Sequence, residues 1–166
     1  VEELVRPKCN HPLFLMERNN GATLERFKAS GNGVLFAAGG MWDGIDIPGG
    51  IVTSLMIVRL PFQAPTPVSK YMQSRFSSTR EYMEECVIPD MLCKLKQGVG
   101  RLIRSEEDTG VVAILDSRVG KKGAYRKAVL EALPKCELTS NPARLYRFLS
   151  QEKIKSEGGV DYGARV

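Results

Sequence analysis

Gln97, Arg101 and Arg104, in the stretch QGVGRLIR, are the side chains whose types and spacing suggest chemistry. Read as part of a helix from Pro89 to Arg104 and advanced by about 100° per residue, they share one narrow stripe, about 40° wide on one side of Gln97 and about 20° on the other. Leu92, Leu95, Val99, Leu102 and Ile103 fall on the opposite side, so this helix has an apolar back and an arginine front. A guanidinium presents forked donors that match phosphate oxygens and suits the charge that develops on a transferring phosphoryl group. Gly98 and Gly100 interrupt the same helix, each at about 1 kcal/mol relative to alanine. That loss is expected to be offset by another surface coming close. The plain alternative is a solvated cationic face suited to the negative end of the helix dipole, which accounts for Arg104 and leaves the glycines unexplained.

The elements that must position these residues follow from apolar patterning. LFLM at 13–16, VLFAA at 34–38, SLMIV at 54–58 and VVAIL at 111–115 are short continuous apolar runs, as expected for strands covered on both faces. Helical patterns lie between and after them: ATLERFKAS following Gly21, a segment near 68–76, the helix from Pro89, and AYRKAVLEAL at 124–133. Strand and helix in alternation predict a three-layer α/β domain with a mostly parallel sheet. A last helix is signalled by SNPARLYRFLSQEK, where Ser140 or Asn141 can cap and Pro142 suits the first turn. The tail SEGGVDYGARV carries three glycines and no apolar period, which predicts a flexible end. The opening VEELVRP reads as the end of a helix, and the chain is expected to be a piece of something longer.

The 166 residues, 43% hydrophobic and 26% charged, suffice for one domain with a hydrophobic core. No apolar run approaches the roughly 20 residues needed to cross a bilayer, and VEELVRPK lacks a secretory apolar stretch, so a cytoplasmic protein with no membrane partner is expected. Cys9, Cys86, Cys93 and Cys136 are too dispersed for a zinc site or an iron–sulfur cluster; they are expected as buried reduced thiols. His11 beside Pro12 reads as a loop residue without chemistry. With 24 basic and 19 acidic residues the formal charge is +5, compatible with a polyanionic partner. KYMQSRFSSTREY at 70–82 interleaves Lys70, Arg75 and Arg80 with Tyr71, Phe76 and Tyr82. This is suitable for gripping and stacking on a single nucleic-acid strand, and equally suitable for a helix that packs its aromatics inward. Lys121, Lys122, Arg126 and Lys127 read as a solvent face.

QGVGRLIRSEEDTGVVAILDSR at 97–118 closely resembles motif VI and the following strand of superfamily 2 DNA helicases of the DinG and XPD type. VLFAAGGMWDGIDIPGG at 34–50 resembles motif V of that family, and IVRLPFQAPTPV at 57–68 is similar to the segment that follows it. Met41 and Asp43 stand where the family usually has phenylalanine and glutamate, and Gly40 where serine is frequent.

The resemblance covers roughly residues 13–135 and implies a RecA-like lobe, the second of two motor lobes that hold ATP between them; the lobe is expected over residues 1–150 without its first strand, followed by a flexible tail at 151–166. It implies that Arg101 and Arg104 reach the γ-phosphate as arginine fingers, with Gln97 as the leading polar residue. Gly44 and Asp46 then link the nucleotide site to the nucleic-acid track, and Trp42 stacks on a base, wedges between lobes or serves as a buried anchor. No GxxxxGK[ST] loop occurs in the chain, so ATP and Mg2+ are expected to be held mainly by the first lobe, with no iron–sulfur cluster in this segment and no turnover by this chain alone. The implied partners are that first lobe and single-stranded DNA. Two other readings remain open: a stand-alone nucleic-acid-binding module without hydrolysis, and an unrelated α/β phosphate-binding enzyme.

Overall fold

The computed structural model describes residues 2–17, 21–38, 47, 51–103 and 109–156, of which 151–156 are described as backbone alone. The chain divides into two compact units, Val1–Leu133 and Pro134–Val166. The first is mixed α/β. All four apolar runs are strands: β1 (Leu13–Leu15), β2 (Val34–Phe36), β3 (Ser54–Ile57) and β4 (Val111–Ile114). Among the described residues they pair as two two-stranded sheets, both parallel, with Leu13 opposite Val34 in one and Ser54 opposite Val111 in the other. Parallel pairing requires a crossover. In the first sheet it contains helix α2 (Gly21–Ser30), and in the second it contains α3 (Pro67–Gln73), α4 (Thr79–Tyr82) and α5 (Ile88–Val99). A short helix α1 (Glu2–Val5) precedes them, and α6 (Arg126–Ala132) follows β4.

Each sheet has its own apolar cluster. Leu24 and Phe27 of α2 pack with Ile47 against Phe14, Met16, Leu35 and Val52. α2 then stops at Gly31, whose φ of +66° is the left-handed conformation that a side chain resists. The larger cluster joins Ile57, Leu60, Met91, Leu95, Val99, Val119 and Val129. Met91, Leu95, Gly98 and Val99 are the buried residues of α5, the 4–3–1 spacing of one helical face. Met91 and Leu95 are fully buried, worth roughly 1.5–3 kcal/mol each in apolar surface removed from water.

Immediately before α5 the helix widens into a π turn at Met83–Val87, where the Ile88 N–H reaches the carbonyl of Met83. Pro89 accounts for it. A proline has no N–H to give to the carbonyl four residues back, and its ring needs room there; the wide turn supplies that room at Glu85 without breaking the helix.

Two expectations are corrected. The helix expected to reach Arg104 ends at Val99, with Gly100 as its cap. Gly100 N–H still bonds the Lys96 carbonyl at 2.8 Å, but Arg101 N–H bonds Gly98 at 3.1 Å and Leu102 N–H bonds Val99 at 2.9 Å, two tighter three-residue turns, before Ile103 N–H shares the same Val99 carbonyl at 3.1 Å. Two glycines within three residues weaken the helix at this point, and the tighter turn seats Leu102 in a buried position. The cysteines are free, as expected, yet none is buried: Cys93 and Cys136 are exposed, Cys9 and Cys86 half-buried. Cys93 lies off the Met91, Leu95 and Val99 face of α5, which explains its exposure.

The second unit carries α7 (Pro142–Ser156). Of the two caps the sequence offered, Asn141 serves, its Oδ1 accepting the Ala143 N–H at 2.9 Å. The glycine-bearing tail expected to be flexible lies, beyond Ser156, outside the described residues.

Candidate functional site: the turn after α5 and the surface of α3

Arg101 follows the end of α5 and is half-buried. Its Nε is buried and has no hydrogen-bond partner among the described residues. A buried N–H without an acceptor costs about 1–3 kcal/mol. Gln97 is exposed on the last turn of α5. Because the helix stops at Val99, the shared stripe inferred from helical periodicity does not extend to Arg101. Arg104 lies outside the described residues, as do Trp42, Gly44 and Asp46. Gly98 is buried. At Gly100 a Cβ would meet the carbonyls of its own turn, Lys96 at 3.2 Å and Gln97 at 3.5 Å.

A second set of predicted residues gathers around α3. Thr66 and Ser69 form a reciprocal capping box at its start, with Pro67 in the first turn. Lys70 and Tyr71 on α3 and Arg75 just beyond it are exposed, and Tyr71 is 62% accessible. Val68, Tyr71 and Met72 form an exposed apolar stripe at helical spacing. Lys70 also lines an open groove of about 400 Å3 with Gln73, Ser74, Phe76, Ser77, Ser78 and Thr79. The aromatics of 70–82 do not all face one way. Tyr71 points outward, whereas Phe76 and Tyr82 pack on each other with ring centroids 5.4 Å apart. Arg80 is engaged by Glu84 at 2.8 Å.

Sequence reasoning missed a third feature, the ion pair at the ends of β3 and β4. Asp116, buried, accepts Arg118 Nε at 2.9 Å and the Arg118 N–H at 3.0 Å on Oδ1; its Oδ2 accepts Arg118 Nη2 at 2.6 Å and the Leu60 N–H at 2.9 Å. The Arg118 side-chain hydrogen bonds hold the Asp116 carboxyl well below the usual carboxylate range, against the opposing effect of burial, and the two backbone N–H groups add to the depression. The same bonds raise Arg118. Its guanidinium lies over Phe62 at 4.7 Å and near Tyr125 at 5.8 Å. An aspartate at a strand end two residues before an arginine was the available signal, but the partner Leu60 N–H is 56 residues away in sequence.

Residues 3–136 match the helicase C-terminal domain family. This chain belongs to that family. Among its relatives, the ATP-dependent DNA helicase YoaA of Escherichia coli (strain K12) is 34% identical over 155 residues, covering 90% of this chain and 24% of the relative. The 3'-5' exonuclease DinG of Bacillus subtilis (strain 168) is 32% identical over 137 residues, covering 80% of this chain and 14% of the relative. The ATP-dependent DNA helicase DinG of Photobacterium profundum is 38% identical over 110 residues, 61% of this chain and 15% of the relative. This helicase C-terminal domain therefore spans about a quarter or less of the length of these curated relatives. No helix among the described residues is long and apolar enough to cross a membrane.

Proposed function

We propose that this domain is the second RecA-like motor lobe of a cytoplasmic ATP-dependent DNA helicase, a three-layer lobe over residues 1–150 that acts with a first lobe of the same protein. Family membership supports the assignment, and the observation that carries it is Arg101. Its buried Nε without a partner among the described residues sits in the segment that resembles motif VI, and a γ-phosphate oxygen is the acceptor that would satisfy it. ATP, held with Mg2+ mainly by the first lobe, supplies the free energy of phosphoanhydride hydrolysis. Arg101 and Arg104 act as the arginine fingers and Gln97 as their polar neighbour, while Gly44 and Asp46 connect the nucleotide cleft to the DNA track. Engaging the arginines draws the lobes together and releasing them parts the lobes, so the grip on the strand alternates.

The single strand runs over Trp42, Lys70, Tyr71 and Arg75. The exposed ring of Tyr71 beside two exposed cations supports this placement, since a base stacked on such a ring contributes about 1–3 kcal/mol. Because the chain has no phosphate-cradling loop, it does not turn over ATP alone. The test is Arg101→Ala in the complete enzyme. An arginine finger contributes roughly 10³–10⁵ in kcat, so DNA-stimulated ATPase should fall by orders of magnitude with DNA binding retained. Turnover within about twofold of the parent, against that expectation, rejects the assignment.

A further inference from the structure

Arg118, Lys121, Lys122, Arg126 and Lys127 fall between Ser117 and Leu130 with no acidic residue among them. The structure gathers them on one pinned knuckle. The turn is closed by Gly123 N–H on the Gly120 carbonyl at 2.8 Å, and its two ends are tied by Tyr125 N–H on the Arg118 carbonyl at 3.1 Å. At the base, Asp116 fixes Arg118, and Arg126 Nη1 bonds the Val119 carbonyl at 3.2 Å. At the tip, Lys121 and Lys122 are exposed and form no ion pair among the described residues. Lys127 and Glu131 are 3.9 Å apart and both largely exposed, a weak association in water. Five cations less the two carboxylates beside them, Asp116 and Glu131, leave a net charge of +3 on a short, internally bonded segment. The rings in the same place are already in use: Phe62 and Tyr125 lie 5.3 Å apart under the Arg118 guanidinium.

We infer that this knuckle is a separate nucleic-acid contact that grips the phosphodiester backbone through Lys121 and Lys122, with Arg126 and Lys127 flanking, and reads no bases. Ammonium groups on flexible stems meet phosphates as point charges and need no fixed fork geometry. The engaged rings leave stacking to the α3 surface. The inference rests on the proposal that this domain works on DNA, yet the two fail separately: the salt dependence of binding tests the knuckle, and ATPase of the Arg101→Ala enzyme tests the motor.

The experiment compares the parent chain with Lys121→Gln/Lys122→Gln by fluorescence anisotropy across a salt series. The probes are a labelled thymidine strand of about 20 nucleotides, the same strand with abasic sites, a duplex of equal length and polyglutamate. Losing two contacts should make the slope of log K against log salt shallower by about 1.4 on the single strand, or about 1.8 on duplex if duplex is the natural ligand, and lower affinity at about 0.1 M salt by roughly 25-fold or roughly 60-fold respectively. The loss should be equal on abasic and normal strands, whereas Tyr71→Ala should weaken only the base-bearing strand. Unchanged slopes, a loss confined to base-bearing strands, equal binding of polyglutamate, or a parent that binds neither DNA would each overturn the inference. Circular dichroism of the double variant should match the parent, since both lysines are exposed.

Discussion

Asp116→Asn is the substitution that most sharply tests how the ends of β3 and β4 are joined. Both carboxylate oxygens accept two N–H donors, Oδ1 from Arg118 Nε and N–H and Oδ2 from Arg118 Nη2 and Leu60 N–H. An asparagine keeps the shape, but whichever way its amide turns, the NH2 faces two donors. Two bonds are lost, and of the two that remain only the one from the Arg118 guanidinium is still charge-assisted. Hydrogen bonds to a charged group contribute about 1.5–3 kcal/mol each. Arg118 retains 43% exposure of its side chain, so water recovers part of the loss, and the expected destabilisation is about 2–4 kcal/mol at neutral pH. Urea unfolding followed by circular dichroism at a series of pH values measures it.

The pH dependence has a definite sign. The folded carboxyl is depressed below its unfolded value, so its contribution is complete above the unfolded pKa of about 3.9 and declines as pH falls from there toward the folded value. The gap between parent and Asp116→Asn should therefore narrow below about pH 4. Equal stability at pH 7, or a gap independent of pH through the acid range, would refute the account.

Gly123→Ala should be more damaging than a loop substitution normally is, because the added Cβ would stand far inside van der Waals contact of the Arg118 carbonyl oxygen; about 3 kcal/mol or more is expected, read as a lowered midpoint in thermal unfolding. Leu95→Ala empties a fully buried site and should cost about 2–5 kcal/mol in chemical denaturation. Tyr71→Ala, at an exposed position, should leave unfolding within about 0.5 kcal/mol of the parent.

The strands were legible because each is a compact apolar run bounded by polar or turn residues, and both observed pairings are parallel, as the alternation with helices requires. The segments that resemble motifs V and VI were legible as strings of residues. What they do locally was not. Periodicity carried the helix through Gly98 and Gly100 to Arg104, while the backbone there shifts to tighter turns and leaves Arg101 beyond the helix. The π turn left no pattern except Pro89, whose steric demand can be met by a kink or by a wider turn. The ion pair of Asp116 with Arg118 was hidden for a different reason. Its worth depends on burial and on Leu60, set by the pairing of β3 with β4 rather than by local sequence.

The wide turn at Met83–Val87 has a geometric consequence. A π turn is in effect one residue spliced into an α-helix, and one residue corresponds to about 100° of rotation about the axis. Ser78 and Thr79, which border the groove, are thus clocked relative to Met91 and Leu95 by that single added position. Removing one residue between 83 and 87 would turn the groove's wall by roughly a quarter of a revolution while leaving every one of its side chains in place along the chain.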